Sequence, residues 1–299
     1  MDHLKTIQSK WTKKYIVKKL FYKDLLLLKA KVFLKKQKYL DYSKIKKIME
    51  INFNKKFPIC YVLVCNKKIV GFVGVLFAEK YSFNKKYINC NIHSLVVYKS
   101  HRLVSHLLFR DILKKKYTIT VLSSLPRLKT YFEKIGFKAV TMKYKLLFTP
   151  NFLKLFKKED IKILVEKRKI LQKLKKKDLK IYNDHSSKKY EKFIIYNERK
   201  NSEYSLVIGN IIIKKKFLKI FNLLYCSNKN FFKENSNYFY SNIYNKFNIN
   251  MCGQYYLNET DCVLNNRFFN FSFNKKKLIF IKNQPKKFEF NGLYSELEY

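Results

Sequence analysis

Five consecutive residues, Tyr98-Lys99-Ser100-His101-Arg102, set three basic side chains between an extended run and a helical run. The extended run, Ile88 to Val97, predicts a strand. Downstream, the spacing of Leu103, Leu107, Leu108 and Ile112 predicts a helix with those four on its buried side. A strand that runs straight into a helix start leaves backbone N–H groups unpaired at the turn. Those groups and the positive end of the helix dipole form an anion site. The residues from Lys99 to Ser105 are therefore expected to bind a phosphate-like group, with Arg102 able to meet it directly. His93 lies on the strand that feeds this turn. An imidazole with a pKa near ~6.5 is a ready proton acceptor. The competing reading is a structural histidine facing a neighbouring strand. Glu79, at the end of the preceding strand, is a second candidate base, against a solvated strand-end charge. Ser123 and Ser124 follow a short strand and offer hydroxyls, either to a ligand or to a turn.

The elements that must hold these residues follow from periodicity. Tyr15 to Val17 predicts a first strand, and Asp24 to Leu34 and Tyr39 to Ile51 predict helices. Phe57 to Cys65 and Ile69 to Phe77 predict an antiparallel hairpin around Asn66-Lys67-Lys68. Gly71 and Gly74 within the second strand mark a bulge or a close backbone approach. Thr118 to Leu122 predicts a strand, Pro126 to Ile135 a helix ended by Gly136, and Phe137 to Phe148 a strand. Pro150 is the expected boundary between a domain of residues 1–150 and a second of residues 151–299. In the second, Glu159 to Lys177 and Phe231 to Phe247 are expected helices. Expected strands are Lys192 to Tyr196, Tyr204 to Ile213, Leu218 to Cys226 and Asn248 to Leu257. A terminal hairpin is expected from Phe268 to Ile281, turning at Asn274-Lys275-Lys276. This order echoes the first half and suggests a diverged second copy of one α/β fold.

Composition bounds the function. The chain of 299 residues is 47% hydrophobic, enough for a sizeable core, and carries a net charge of +44. Lysine, asparagine, isoleucine, phenylalanine and tyrosine dominate throughout, while alanine appears only at positions 30, 78 and 139. A bias that touches core and surface alike reads as AT-rich coding, with lysine as the default solvated residue. The charge then argues only weakly for nucleic acid, and no helix-turn-helix or RNA-binding motif accompanies it. The six cysteines form no C-x-x-C pair, so buried reduced thiols in a cytoplasmic protein are expected, with no metal site. The lysine-rich first residues lack an apolar stretch and the longest apolar run is too short for a membrane helix, so neither a signal peptide nor a membrane span is expected.

Residues 57–148 resemble the GNAT (Gcn5-related N-acyltransferase) superfamily. YKSHRLVSHLL, from Tyr98, is similar without gaps to the pattern Y-R-G-x-G-I-G-S-x-L-L. Lys99 takes the basic position, and Ser105, Leu107 and Leu108 match. Ser100, Arg102 and Val104 replace its glycines. YFEKIGF resembles the family ending Y-E-K-x-G-F, with Glu133, Lys134, Gly136 and Phe137 in place. The family tyrosine that protonates the leaving thiolate aligns with Phe132, beside Tyr131.

The resemblance implies a mixed-sheet α/β acyl-CoA N-acyltransferase fold, here expected as two tandem copies. It implies acetyl-CoA or another acyl-CoA as donor and a primary amine, such as an amino sugar of surface-polysaccharide synthesis, as acceptor. Leu95, Val96 and Val97 would hold the pantetheine arm. Lys99, Ser100, His101, Arg102, Leu103, Val104 and Ser105 would hold the pyrophosphate, and Ser124 a pantetheine amide. His93 or Glu79 would serve as base and Tyr131 as acid. A monomer or homodimer is expected. The other reading is a non-catalytic basic scaffold of the same fold that binds nucleic acid or a protein partner.

Overall fold

The computed structural model describes residues 14–51, 55–82, 85–148, 159–187, 189–200, 202–214, 218–249, 251–264, 272–285, 288, 290–295 and 297. Pro150 lies outside them. Strand β1 (Tyr15–Leu20) precedes helices α1 (Leu26–Lys35) and α2 (Tyr42–Met49). The Asp41 side chain caps α2 by accepting from the Lys44 N–H at 3.0 Å. Strands β2 (Cys60–Cys65) and β3 (Lys68–Ser82) form the expected hairpin. Asn66 and Lys67 both take positive φ, 47° and 62°, which is the twist-matched two-residue turn. β3 runs five residues beyond its expected end, and β4 (Lys85–Val97) pairs back along it.

A 3-10 turn, Lys99–Val104, leads into α3 (Leu107–Leu113). Then come β5 (Thr118–Val121), α4 (Lys129–Lys134) and β6 (Lys138–Phe148). The later elements are β7 (Ile161–Leu164), α5 (Lys167–Lys173), α6 (Lys176–Asp184), β8 (Tyr190–Asn197), β9 (Tyr204–Lys214) and β10 (Leu218–Cys226). α7 (Lys229–Phe247), β11 (Met251–Tyr256) and β12 (Ser272–Lys282) follow.

Three expectations are corrected. The helix expected from Glu159 to Lys177 is a strand followed by two short helices. Ile161 and Ile163 alternate in a way that suits edge pairing with β8, and the backbone turns extended at Leu174 and Lys175, with ψ 132° and 155°, which separates the two helices. Residues 268–271 of the expected terminal hairpin lie outside the described residues, and the rest of it is one strand. Asn274, Lys275 and Lys276 pair in register with Lys145, Tyr144 and Lys143 of β6, so β12 never turns. Leu103 is 88% exposed, and Val104 is buried in its place. The tighter 3-10 coil, three residues per turn, shifts the buried face by one residue.

All twelve strands join in one sheet, in the order β1-β2-β3-β4-β5-β12-β6-β11-β10-β9-β8-β7. β1 through β4 pair antiparallel, β4 and β5 parallel, and β5 is followed by β12. β7 through β10 pair antiparallel, β10 and β11 parallel, and β11 is followed by β6. Each half thus borrows the other's last strand.

On one face, α3 and α4 lay Leu107, Leu108, Phe109, Ile112 and Phe132 over Leu63, Val73, Ile92 and Val97. On the other, α1 and α2 set Leu27, Ala30, Leu34 and Ile45 against Val62, Phe72 and Val96. Burying one such side chain stabilises by roughly 1.5–3 kcal/mol. Phe288 and Phe290, near the C-terminus, cover the centre of the sheet over Leu122, Met142 and Ile279. No helix among the described residues is long and apolar enough to cross a membrane.

Candidate functional site

β4 and β5 pair only from Asn89–Thr118 to Ile92–Val121. Beyond that point β4 continues for five residues with β3 on one side alone. Its register against β3 jumps between Phe72–Val96 and Gly74–His93, so Ser94 and Leu95 together face Val73. This is a β-bulge, and Ser94 sits in the left-handed region at φ 54°. The Tyr98 N–H donates to the Val70 carbonyl at 3.0 Å. Backbone groups alternate along a strand, so the Val97 N–H points to the opposite edge, where β5 has diverged. Leu95, Val96 and Val97 therefore line a wedge with a free backbone edge. Val96 and Val97 bury their side chains on opposite faces of the sheet.

The turn at the wedge's mouth has no side-chain cap. Lys99, Ser100 and Arg102 are exposed there, and Val104 is buried. His101 is committed elsewhere: its Nδ1 lies 2.9 Å from the Tyr15 hydroxyl, which ties the turn to β1. His106 is exposed, its Nδ1 3.2 Å from the Leu103 carbonyl. Ser124 is half-buried, and its hydroxyl donates to the Leu125 carbonyl at 3.3 Å.

His93 is buried on β4, with its ring lying over Gly74 of β3. A side chain at position 74 would overlap that ring, which explains a glycine in mid-strand. His93 Nδ1 is 2.9 Å from the Ser94 hydroxyl, while Nε2 meets no hydrogen-bond partner among the described residues. Burial pushes its pKa down to about 3, so the ring is neutral. Asn91 and Asn89 are buried two and four residues before it on the same face, and Asn91 donates to the Thr120 carbonyl and hydroxyl.

Tyr131 packs against Phe109 and Phe132 on the α3 face. Its hydroxyl lies buried beside Ser105, short of hydrogen-bond geometry. Burial raises its pKa, and the Ser105 hydroxyl offsets part of that. Phe132 is a core residue stacked on Phe280. The structure thus brings Tyr131 to the turn and His93 to the bulge.

Glu79 stands apart. It pairs with Ile88, seven residues of β4 before Leu95, a separation of roughly 23 Å at the usual strand rise. Lys86 and Lys180 grip its carboxylate at 2.8 and 3.1 Å and hold its pKa below the usual carboxylate range. The Lys180 contact comes from α6, across 101 positions of sequence, and no local signal announces it.

The second half repeats the wedge. β10 and β11 separate after Leu223–Gln254, and β10 bulges between Leu223 and Tyr225. Its helix start is closed, however. The Asn228 side chain accepts from the Phe231 N–H, and Lys229 pairs with buried Asp261 at 2.8 Å.

Comparison with solved structures finds this architecture repeatedly. A GCN5-related N-acetyltransferase from Anabaena variabilis aligns with 89% of this chain and 72% of its own, at 9% identity and a TM-score of 0.57. A GCN5-related glucosamine N-acetyltransferase region of a fungal multi-domain β-N-acetylglucosaminidase aligns with 89% of this chain and 38% of its own, at 15% identity and a TM-score of 0.53. Saccharomyces cerevisiae N-myristoyltransferase with bound myristoyl-CoA aligns with 92% of this chain and 84% of its own, at 11% identity and a TM-score of 0.50. No family model and no curated protein sequence matches the chain.

Proposed function

We propose, from its GNAT acyltransferase fold, that the chain transfers an acyl group from acyl-CoA to a primary amine. The observation that carries this reading is the wedge. Leu95–Val97 has a free backbone edge, set beside an uncapped basic turn. A pantetheine arm carries amides that can pair with such an edge as a strand does, and the pyrophosphate suits Lys99, Ser100 and Arg102. The missing glycines are tolerated in geometry, because the turn takes a 3-10 form that needs no positive φ from Ser100 to Val104.

Acyl-CoA supplies the activated acyl group. The protein's share is to orient it, stabilise charge and move protons. The Val97 N–H is aimed into the wedge, where it would polarise the thioester carbonyl. Tyr131, beside Ser105, would protonate the departing sulfur. His93 is the candidate base on the strand from its position, but burial holds it neutral with a pKa of about 3, which suits a hydrogen-bonding role through Nε2 better than proton removal. Glu79, ion-paired and distant, is set aside for that role. An acetyl group and an amino-sugar acceptor are the finer reading, in line with the glucosamine N-acetyltransferase region that shares the fold. Two tandem copies of one ancestral unit are inferred from the repeated pairing order, bulge and wedge, with the closed start of α7 leaving donor binding to the first half.

Calorimetry with acetyl-CoA tests the proposal. Binding is expected in the native chain and in Lys214→Glu, weakened at least tenfold in Arg102→Glu. Folded protein that takes up no acetyl-CoA at millimolar concentration overturns it.

A further inference from the structure

A cavity of about 560 Å³ lies at the end of β10, within the size range of small-ligand sites. Four separate pieces of chain wall it: the end of β3, helix α6, the end of β10 and the segment before the C-terminus. Its lysines are Lys80, Lys176, Lys177 and Lys180, and its one carboxylate is Glu79. That carboxylate is already held by Lys86 and Lys180. The cavity is therefore strongly positive. Two of the lysines are fixed in advance. Lys80 Nζ donates to the Leu293 carbonyl at 2.9 Å and to Asn291 Oδ1 at 3.3 Å, and Lys180 is held by Glu79. Lys176 and Lys177 stand exposed at the rim. Between the cations the wall is aromatic and apolar, formed by Tyr225, Tyr294 and Ile181. The Tyr225 hydroxyl turns away toward buried Asp178 and the Tyr294 hydroxyl toward Asp184.

We propose that this cavity is a second ligand site, for a small molecule that joins a diphosphate-like polyanion to a flat aromatic body, as a nucleoside diphosphate does. The rim lysines would take the phosphates, and the tyrosines would take the ring. The site goes beyond the acyl-transfer reading and is separate from it. The Glu79 end of β4 is roughly 23 Å from Leu95 by strand rise. A ligand here cannot present an amine to the first wedge.

The test is titration of the full chain with a fluorescent ADP analogue, with ADP and pyrophosphate as competitors. Saturable binding is expected to persist in Arg102→Glu, where the donor turn no longer competes for the probe, and to be at least tenfold weaker when Lys176→Glu and Lys177→Glu are added to that background. Both rim lysines are exposed, so the fold should survive, and circular dichroism checks it. ADP is expected to compete better than pyrophosphate. Three results would overturn the site: no saturable binding at millimolar probe, loss in Arg102→Glu with the rim pair intact, or equal loss in Lys36→Glu, Lys38→Glu, two exposed lysines elsewhere. The middle result would place the probe at the donor turn and so support acyl-CoA binding while refuting this cavity.

Discussion

His93 shows how far a residue's chemistry depends on what surrounds it. In the sequence it is a titratable group on a strand. In the fold it is a buried ring lodged over Gly74. Its folded pKa, about 3, lies below the ordinary value near 6.5. Between those two pH values the unfolded chain binds a proton that the folded chain refuses. Stability contributed by the neutral ring is thus complete above pH ~6.5 and falls as pH drops toward 3, by about 2 kcal/mol at pH 5. Urea denaturation at pH 5 and pH 7.5 should show that loss, and His93→Leu should reduce it. A pH response identical in wild type and His93→Leu would refute the assignment. Gly74→Ala should destabilise by about 1–3 kcal/mol at neutral pH, because the added methyl displaces the ring within a packed sheet. Local spacing exposed the turn and both glycines, but it could not reveal that Lys180 neutralises Glu79 or that Tyr15 holds His101. Those partners arrive from distant parts of the chain.

At the level of elements, periodicity read the first half well because its signals are local. The β2–β3 hairpin has a short polar turn between apolar runs, and α4 ends at Gly136, which takes φ 87° as a helix-stopping glycine does. The same rules misread β7 and β12 because lysine fills solvent positions indiscriminately, so neither alternation nor turn residues stand out. Asn274-Lys275-Lys276 has a turn's composition and a strand's conformation, imposed by ten paired positions along β6. One element can be improved by the same logic. Lys67 holds φ 62° without being glycine. Lys67→Gly should raise the thermal midpoint, with a gain of about 1 kcal/mol from relieving the left-handed strain. An unchanged or lowered midpoint would show that the lysine side chain contributes more than the strain costs.

At the scale of the molecule, the resemblance carried by YKSHRLVSHLL and YFEKIGF led to the right fold for the first half, and the exchange of terminal strands was invisible. Nothing in the sequence of β12 says that it pairs with β5 and β6 rather than β11. The pairing has a measurable outcome. Residues 1–150 expressed alone should lack a strand between β5 and β6 and should aggregate or remain loosely packed. Adding residues 151–299 in the same cell should restore a soluble complex. A monomeric, cooperatively folding 1–150 fragment would contradict this.

The same exchange bears on how the chain is made. When the first 148 residues leave the ribosome, the facing edges of β5 and β6 have no strand to close them. β12 ends 134 residues later, at Lys282. Through that interval β5 has an open edge and β6 has no partner strand, the kind of surface that pairs with the wrong neighbour. Synthesis time, and any chaperone that shields strand edges, should therefore limit the yield of native protein more than the stability of either half does.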